Sequence, residues 1–180
     1  IREDLNIMKQ NTERLLSLTN QLLDFRKTES QGFRLNFAEC NVTEVLKETY
    51  NRFTSLARQR ELDFVLNVGE QDFYAHVNKE AFTKIVSNLL NNAVKYAETY
   101  VHVFLEMNGI GEKRMFYIRT VNDGVIIPNE MKEEIFKPFV RFNEKEDGKV
   151  TTGTGIGLAL SRSLAELHQG SLMMLEGEEA

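Results

Sequence analysis

The chain has 180 residues, 42% of them apolar and 27% charged, which is material for a buried core beneath an ordinary water-facing surface. A net charge of −5 excludes a nucleic-acid binder that relies on a broad basic face, and the single cysteine, Cys40, excludes an internal disulfide. No run of 18 apolar residues is present to span a membrane, so one domain, or one domain with a helical appendage, is expected.

Ile1 to Thr28 contains neither Gly nor Pro. Ile1, Leu5, Met8, Leu15, Leu18, Leu22 and Phe25 recur in three- and four-residue steps, predicting one helix roughly 40 Å long. A lone helix of that length cannot bury its stripe unaided, so a bundle partner or a dimer mate is expected. Ser30-Gln31-Gly32 ends it. Phe33-Arg34-Leu35-Asn36-Phe37 alternates with period two and predicts a short strand. Asn41, with Glu44 three positions on, predicts a capped helix whose inner face is Val42, Val45, Leu46, Thr49, Tyr50, Phe53 and Leu56.

Leu62–Val68 and Phe73–Val77 read as strands joined by the polar turn Gly69-Glu70-Gln71-Asp72. Asn78 opens a long helix with Ala81, Phe82, Ile85, Val86, Leu89, Leu90, Ala93 and Val94 on its apolar side. Tyr100–Met107 and Arg114–Val121 predict a hairpin through Asn108-Gly109. Next come the turn Asn122-Asp123-Gly124, a short helical stretch over Glu130–Phe136 after Pro128, and a loop from Phe139 to Thr152. That loop carries Arg141, Lys145 and Lys149 with Glu144, Glu146 and Asp147. A helix to His168 and a strand over Ser171–Leu175 complete the order. The elements predict an α+β fold, a two-layer sandwich of helices on a mixed sheet, preceded by one long helix.

Two stretches carry chemistry. Gly153-Thr154-Gly155-Ile156-Gly157-Leu158 sets three glycines before a helical run, leaving backbone amides at a helix N-terminus where phosphate binds. It is no dinucleotide fingerprint, since Leu158 stands where the third glycine belongs. It is no P-loop either: Gly148-Lys149 is followed by Val150, and Asn143 holds the place of the first glycine. The second stretch is Asn88-Leu89-Leu90-Asn91-Asn92-Ala93-Val94-Lys95-Tyr96, where three amides and a lysine interrupt a strongly apolar helix. An amide oxygen suits Mg²⁺, and Lys95 shares a side with Asn92, from which it reaches phosphate. A solvated polar helix end is the alternative for this stretch taken alone.

In order, Asn88–Tyr96, Asn122–Pro128, Phe136–Phe142 and Gly153–Leu158 resemble the N, G1, F and G2 boxes of the ATP-binding domain of two-component sensor histidine kinases. The helix ending Leu22-Leu23-Asp24-Phe25-Arg26-Lys27 is similar to the second helix of the dimerisation and phosphotransfer hairpin that precedes that domain. The resemblance covers Phe33 to about Leu175. It implies residues 1–31 as that helix, residues 32–180 as a catalytic domain of the Bergerat ATP-binding fold, and ATP lying between the N-box helix and a lid.

Carried over, the resemblance makes Asn92 the Mg²⁺-binding asparagine, with Asn88 lining the phosphate side one turn earlier. Lys95 and Arg141 would reach phosphates, and Tyr96 would lie near the adenine. Asn122, Gly124 and Ile127 would form the base pocket. Gly153, Gly155 and Gly157 would let the lid close, with amides near Ile156 and Leu158 on the triphosphate. The resemblance also implies phosphoryl transfer to a histidine on a preceding helix and relay to a response regulator receiver domain. It further implies a homodimer built through the hairpin, and the cytoplasmic portion of a membrane-anchored sensor.

Two departures stand out. The usual G1 pattern, Asp-x-Gly-x-Gly-Ile, here reads Asn122-Asp123-Gly124-Val125-Ile126-Ile127, so an amide replaces the carboxylate that accepts from the adenine amino group. Adenine binding that is retained but weaker is expected, because an amide oxygen accepts without charge. Asp123 supplying the carboxylate through a local shift is the less favoured arrangement, and Ile126 in place of the second glycine is expected to stiffen the loop. The second departure is that the phosphoacceptor helix is lacking. His76, His102 and His168 lie in structural or exposed settings, so this piece, which has no initiator Met, is expected to bind ATP without phosphorylating itself. An ATPase of gyrase or chaperone type is disfavoured because Asn88 stands where those enzymes carry a water-activating glutamate. A degenerate domain that transmits dimer geometry is the non-enzymatic alternative. The segment is also expected to stop short of a last strand, leaving a sheet edge exposed.

Overall fold

The structure, a computed structural model, describes residues 2–30, 32–109, 114–142 and 153–175. Ile1, Gln31 and the loop residues from Asn143 to Thr152, with Lys145, Lys149, Glu144, Glu146 and Asp147, lie outside them, as does the tail after Leu175. Ten principal elements follow one another: helices α1 (Arg2–Glu29), α2 (Val42–Asn51), α3 (Thr54–Gln59), α4 (Lys79–Tyr96) and α5 (Gly157–Leu167), and strands β1 (Ala38–Asn41), β2 (Asp63–Val68), β3 (Tyr74–Val77), β4 (Tyr100–Asn108) and β5 (Met115–Asn122). They form two compact units, one of α1 with Pro128–Met173 and one running from Leu35 to Ile127.

The second unit holds the sheets. β4 runs parallel to β2 and antiparallel to β5, which makes a mixed sheet, and β1 pairs antiparallel with β3. Val101, Val103 and Leu105 of β4 are buried while Tyr100, His102 and Phe104 alternate to the opposite side. The buried residues meet α2 through Val42, Val45 and Leu46 and α4 through Phe82, Val86, Leu90 and Val94. Both helices start on an asparagine whose side chain accepts the third amide: Asn41 from Glu44 and Asn78 from Ala81. Buried Thr43 and Thr49 are satisfied, Thr43 by the Phe73 amide at 2.9 Å and Thr49 by the Val45 carbonyl at 2.7 Å.

The structure differs from expectation in four places. Phe33–Phe37 is not a strand; the four positions of β3 are filled by Ala38–Asn41 instead. Alternation shows a period of two but not whether a partner strand is at hand, and Phe37 is left exposed. The helix expected to reach Leu56 breaks after Asn51, where the Thr54 hydroxyl takes the Asn51 carbonyl at 2.8 Å. Glu130–Phe136 forms two 3-10 turns, Asn129–Met131 and Glu134–Phe136, in place of one short helix. Ser171–Leu175 is not a strand, and the Leu172 carbonyl accepts from Arg162 Nε at 3.1 Å in place of a ladder partner.

In the first unit α1 packs on α5, burying Phe25, while Leu5, Met8, Leu15 and Leu16 are each at least 60% exposed. The end of α5 closes by a left-handed Gln169, with the Gly170 amide returning to the Ala165 carbonyl at 2.9 Å.

Candidate functional site

α4 exists because its apolar residues recur at helical spacing, and that burial fixes which residues face away from the core. Asn88, Asn92 and Lys95 follow one another at four and three residues along its side and are half-buried, and Tyr96 ends the helix, 41% exposed. Lys95 lies back on its neighbour: Nζ donates to the Tyr96 hydroxyl at 2.9 Å and sits 4.5 Å from the ring centroid.

β5 delivers Asn122 beside this helix end. Its Nδ2 donates to the Ala93 carbonyl at 3.3 Å, which orients the amide and leaves Oδ1 as its acceptor. Gly124 follows, and here only glycine fits: a Cβ would stand 2.0 Å from the Tyr96 carbonyl oxygen. Ile127 is half-buried before Pro128. Ile126, at the family's second glycine, is 87% exposed and takes no left-handed φ, so this backbone does not require glycine there.

Asp123 is engaged elsewhere. Its carboxylate accepts from the amides of Glu98 at 3.0 Å, Thr99 at 2.9 Å and Tyr100 at 3.1 Å, and from the Thr99 hydroxyl. Burial acts to raise its pKa, but those hydrogen bonds outweigh it and hold the carboxyl well below the usual carboxylate range. A local shift that offers Asp123 to a base would break all of these bonds. The signal was an aspartate between a strand and a glycine, which favours a local backbone cap. Arg60, which also binds this helix end, had no sequence signal.

The first unit holds the other named residues. Of the three glycines only Gly155 is left-handed, with φ of 70°, and its carbonyl accepts the Phe139 amide at 2.9 Å. A Cβ on Gly155 would stand 2.8 Å from the Phe139 backbone, so the G2 and F segments lie backbone to backbone. Phe139 itself has φ of 65° and is 64% exposed, an unusual conformation for a bulky residue. Buried Phe136 is covered by the Arg162 guanidinium 3.7 Å from its ring. Arg162 also binds Glu133 at 2.7 Å and, by that hydrogen bond and its charge, lowers the Glu133 pKa.

Gly157 and Leu158 form the first turn of α5, which follows Ile156. The Ile156 amide donates to the Thr154 hydroxyl at 3.1 Å, and that hydroxyl reaches Gln21 of α1 at 2.9 Å. Gly153 is half-buried and Arg141 is exposed. Thus the N and G1 residues come together in one unit and the F and G2 residues in the other.

The histidines are held structurally or lie on the surface. His102 Nε2 is 3.4 Å from Asp63, His168 Nδ1 is 2.7 Å from the Leu164 carbonyl, and His76 is exposed on β3.

Residues 77–179 match the family model described as "Histidine kinase-, DNA gyrase B-, and HSP90-like ATPase". The sensor histidine kinase WalK of Bacillus subtilis is 26% identical over 168 residues, which cover 93% of this chain and 27% of that protein. The chain therefore spans about a quarter of that relative's length. Full-length ShkA, solved in complex with AMPPNP, superimposes with a TM-score of 0.76 at 22% identity, covering 92% of this chain and 34% of that one. Histidine kinase ThkA, solved in complex with the response regulator protein TrrA, gives a TM-score of 0.69 at 22% identity, covering 98% and 47%. At these identities the two structures establish the fold, helices on a mixed sheet, as that of histidine kinases.

Proposed function

Because the chain belongs to the histidine kinase-, DNA gyrase B- and HSP90-like ATPase family, we propose that it is the domain that moves the γ-phosphate of ATP to a histidine in a sensor kinase. One observation carries the reading: the row Asn88, Asn92 and Lys95 on α4 offers amides and an amine and contains no carboxylate. Such a row suits a polyphosphate and its cation, and it lacks a base to take a proton from water, which favours transfer over hydrolysis.

The donor set fits Mg²⁺. Among the described residues no group of three His, Cys, Asp or Glu side chains could hold a metal by itself. A single amide oxygen from Asn92 suits an ion that keeps water and takes phosphate oxygens. When bound, Mg²⁺ would supply charge neutralisation at the phosphates. Asn122 Oδ1 accepts from the adenine amino group, Tyr96 lies beside the base, and Gly124 and Ile127 line the base pocket. Lys95 exchanges the Tyr96 hydroxyl for a phosphate oxygen, and Arg141, a residue of the first unit, is of the kind that pairs with phosphate. Within the first unit, the turn from Gly153 and Gly155 through Ile156 into Gly157 and Leu158 at the start of α5 is of the kind whose backbone amides suit a phosphate.

The acceptor histidine would lie on a helix that pairs with α1, and the exposed leucines of α1 support a helical partner and a homodimer built there. Capture of ThkA with a response regulator supports a receiver domain as the recipient. The domain would work on the cytoplasmic side of a membrane-anchored sensor; no helix among the described residues is long and apolar enough to cross a membrane. With His76, His102 and His168 set as described, this chain alone would not label itself.

Titration with an ATP analogue, with and without Mg²⁺, tests the site. Asn92→Ala is expected to abolish the Mg²⁺-dependent part of the affinity, about tenfold or more, and to leave Mg²⁺-free binding unchanged. Unchanged Mg²⁺ dependence would remove Asn92 as the ligand. A chain extended upstream through the acceptor helix should take label from γ-phosphate that is acid-labile and alkali-stable. No label in the presence of nucleotide binding would favour a degenerate, signal-transmitting domain.

A further inference from the structure

The last turn of α4 is fastened by residues far from it in sequence. Arg60, following α3, donates through Nη1 to the Val94 carbonyl and through Nη2 to the Ala97 carbonyl, the latter at 3.0 Å. Asn122 donates to the Ala93 carbonyl, and the backbone of Gly124 lies against that of Tyr96. Asp123 gathers the amides of Glu98, Thr99 and Tyr100 and the Thr99 hydroxyl. The carbonyls of a final helical turn lack intrahelical donors and concentrate the negative end of the helix dipole. Left open, that end would fray and would set partial negative charge beside Lys95 and Tyr96.

A guanidinium answers both needs, because its planar fork spans two carbonyls and its charge offsets the dipole; a lysine offers a single point. Asp123 serves the chain immediately after the helix. A carboxylate has about four lone-pair positions, and here it receives donors from three successive amides and a hydroxyl.

We propose that Arg60 and Asp123 are positioning residues for the nucleotide, an inference that rests on the ATP reading above. Neither touches the ligand. Together they hold Lys95, Tyr96 and Asn122 in one fixed geometry. The adjacent pair Asn122 and Asp123 thereby divides its tasks: the amide faces the base and the carboxylate faces the backbone.

Titration of the 180-residue chain with Mg–AMPPNP and, separately, with inorganic tripolyphosphate tests this. Asp123→Ala is expected to weaken AMPPNP about tenfold while changing tripolyphosphate less than about twofold, because the clamp holds the base end. Arg60→Ala should weaken both, and Arg60→Lys should recover less than half of the lost affinity. Amide exchange at Glu98–Tyr100 should accelerate at least about tenfold in Asp123→Ala with the amides of Val86–Leu90 unchanged, which general destabilisation would not produce. Thr99→Val removes only the hydroxyl donor and keeps the shape; about threefold weaker AMPPNP binding is expected, and this variant decides the matter if Asp123→Ala does not fold. A wild-type chain that binds AMPPNP together with folded variants of unchanged affinity overturns the positioning role alone. A wild-type chain that binds no AMPPNP overturns the ATP reading and this inference with it.

Discussion

Replacing Gly124 by Ala probes the closest backbone approach near the proposed base pocket. A Cβ there would stand 2.0 Å from the Tyr96 carbonyl oxygen and 2.8 Å from its carbon, where real Cβ atoms essentially never come within 3.0 Å. The end of β5 and the end of α4 would have to part by about 1 Å, and neither is the flexible tip of a side chain. Parting them stretches the 3.3 Å bond from Asn122 to Ala93 beyond hydrogen-bonding range and draws Asp123 off its amides. Overpacking of this kind costs about 2 kcal/mol, which for a chain of this size lowers Tm by about 6 °C. Tyr96 and Asn122 flank the contact, so affinity for an ATP analogue should fall about tenfold. Gly69→Ala is the matched control: nothing lies within 4 Å of its Cβ position and its φ is ordinary, so it should be neutral or slightly stabilising. Differential scanning calorimetry and titration calorimetry measure both effects. If Gly124→Ala melts within about 1 °C of Gly69→Ala and binds equally well, the close-contact reasoning fails.

Gly155→Ala adds a Cβ at a φ of 70° and 2.8 Å from Phe139, so a loss of about 1–2 kcal/mol is expected from the left-handed backbone alone, read as a lower Tm; an unchanged Tm would refute the welded F and G2 segments. The depressed pKa of Asp123 makes its stabilising effect complete above the unfolded-state pKa of about 3.9 and progressively lost as pH falls below it toward the folded value. The Tm gap between wild type and Asp123→Asn should therefore stay level from about pH 8 to 5 and narrow toward about pH 2.5, and a gap that holds constant into acid would contradict the hydrogen-bonded carboxylate.

Much of this protein was determined by local pattern. The apolar spacing of α4, the alternation of β4 and the asparagine caps at Asn41 and Asn78 each depend on residues within one or two turns, so a single sequence contains the whole physical cause. The order of the four motifs was likewise legible, because each is a short string. What needed tertiary structure were the meetings of groups distant along the chain. Alternation at Phe33–Phe37 suggested a strand, but the pairing positions of β3 went to Ala38–Asn41 and Phe37 stayed exposed. A strand over Ser171–Leu175 was equally plausible by pattern until Arg162 took the Leu172 carbonyl. The sequence alone could show that an asparagine replaced an aspartate at position 122 and that Asp123 stood beside it. Only the fold decided that the Ala93 carbonyl orients the first and that the amides of Glu98–Tyr100 claim the second. The reason is physical: spacing along the chain governs propensity and face, whereas a hydrogen bond or a backbone contact is decided by which unsatisfied groups the packed elements bring within about 3 Å.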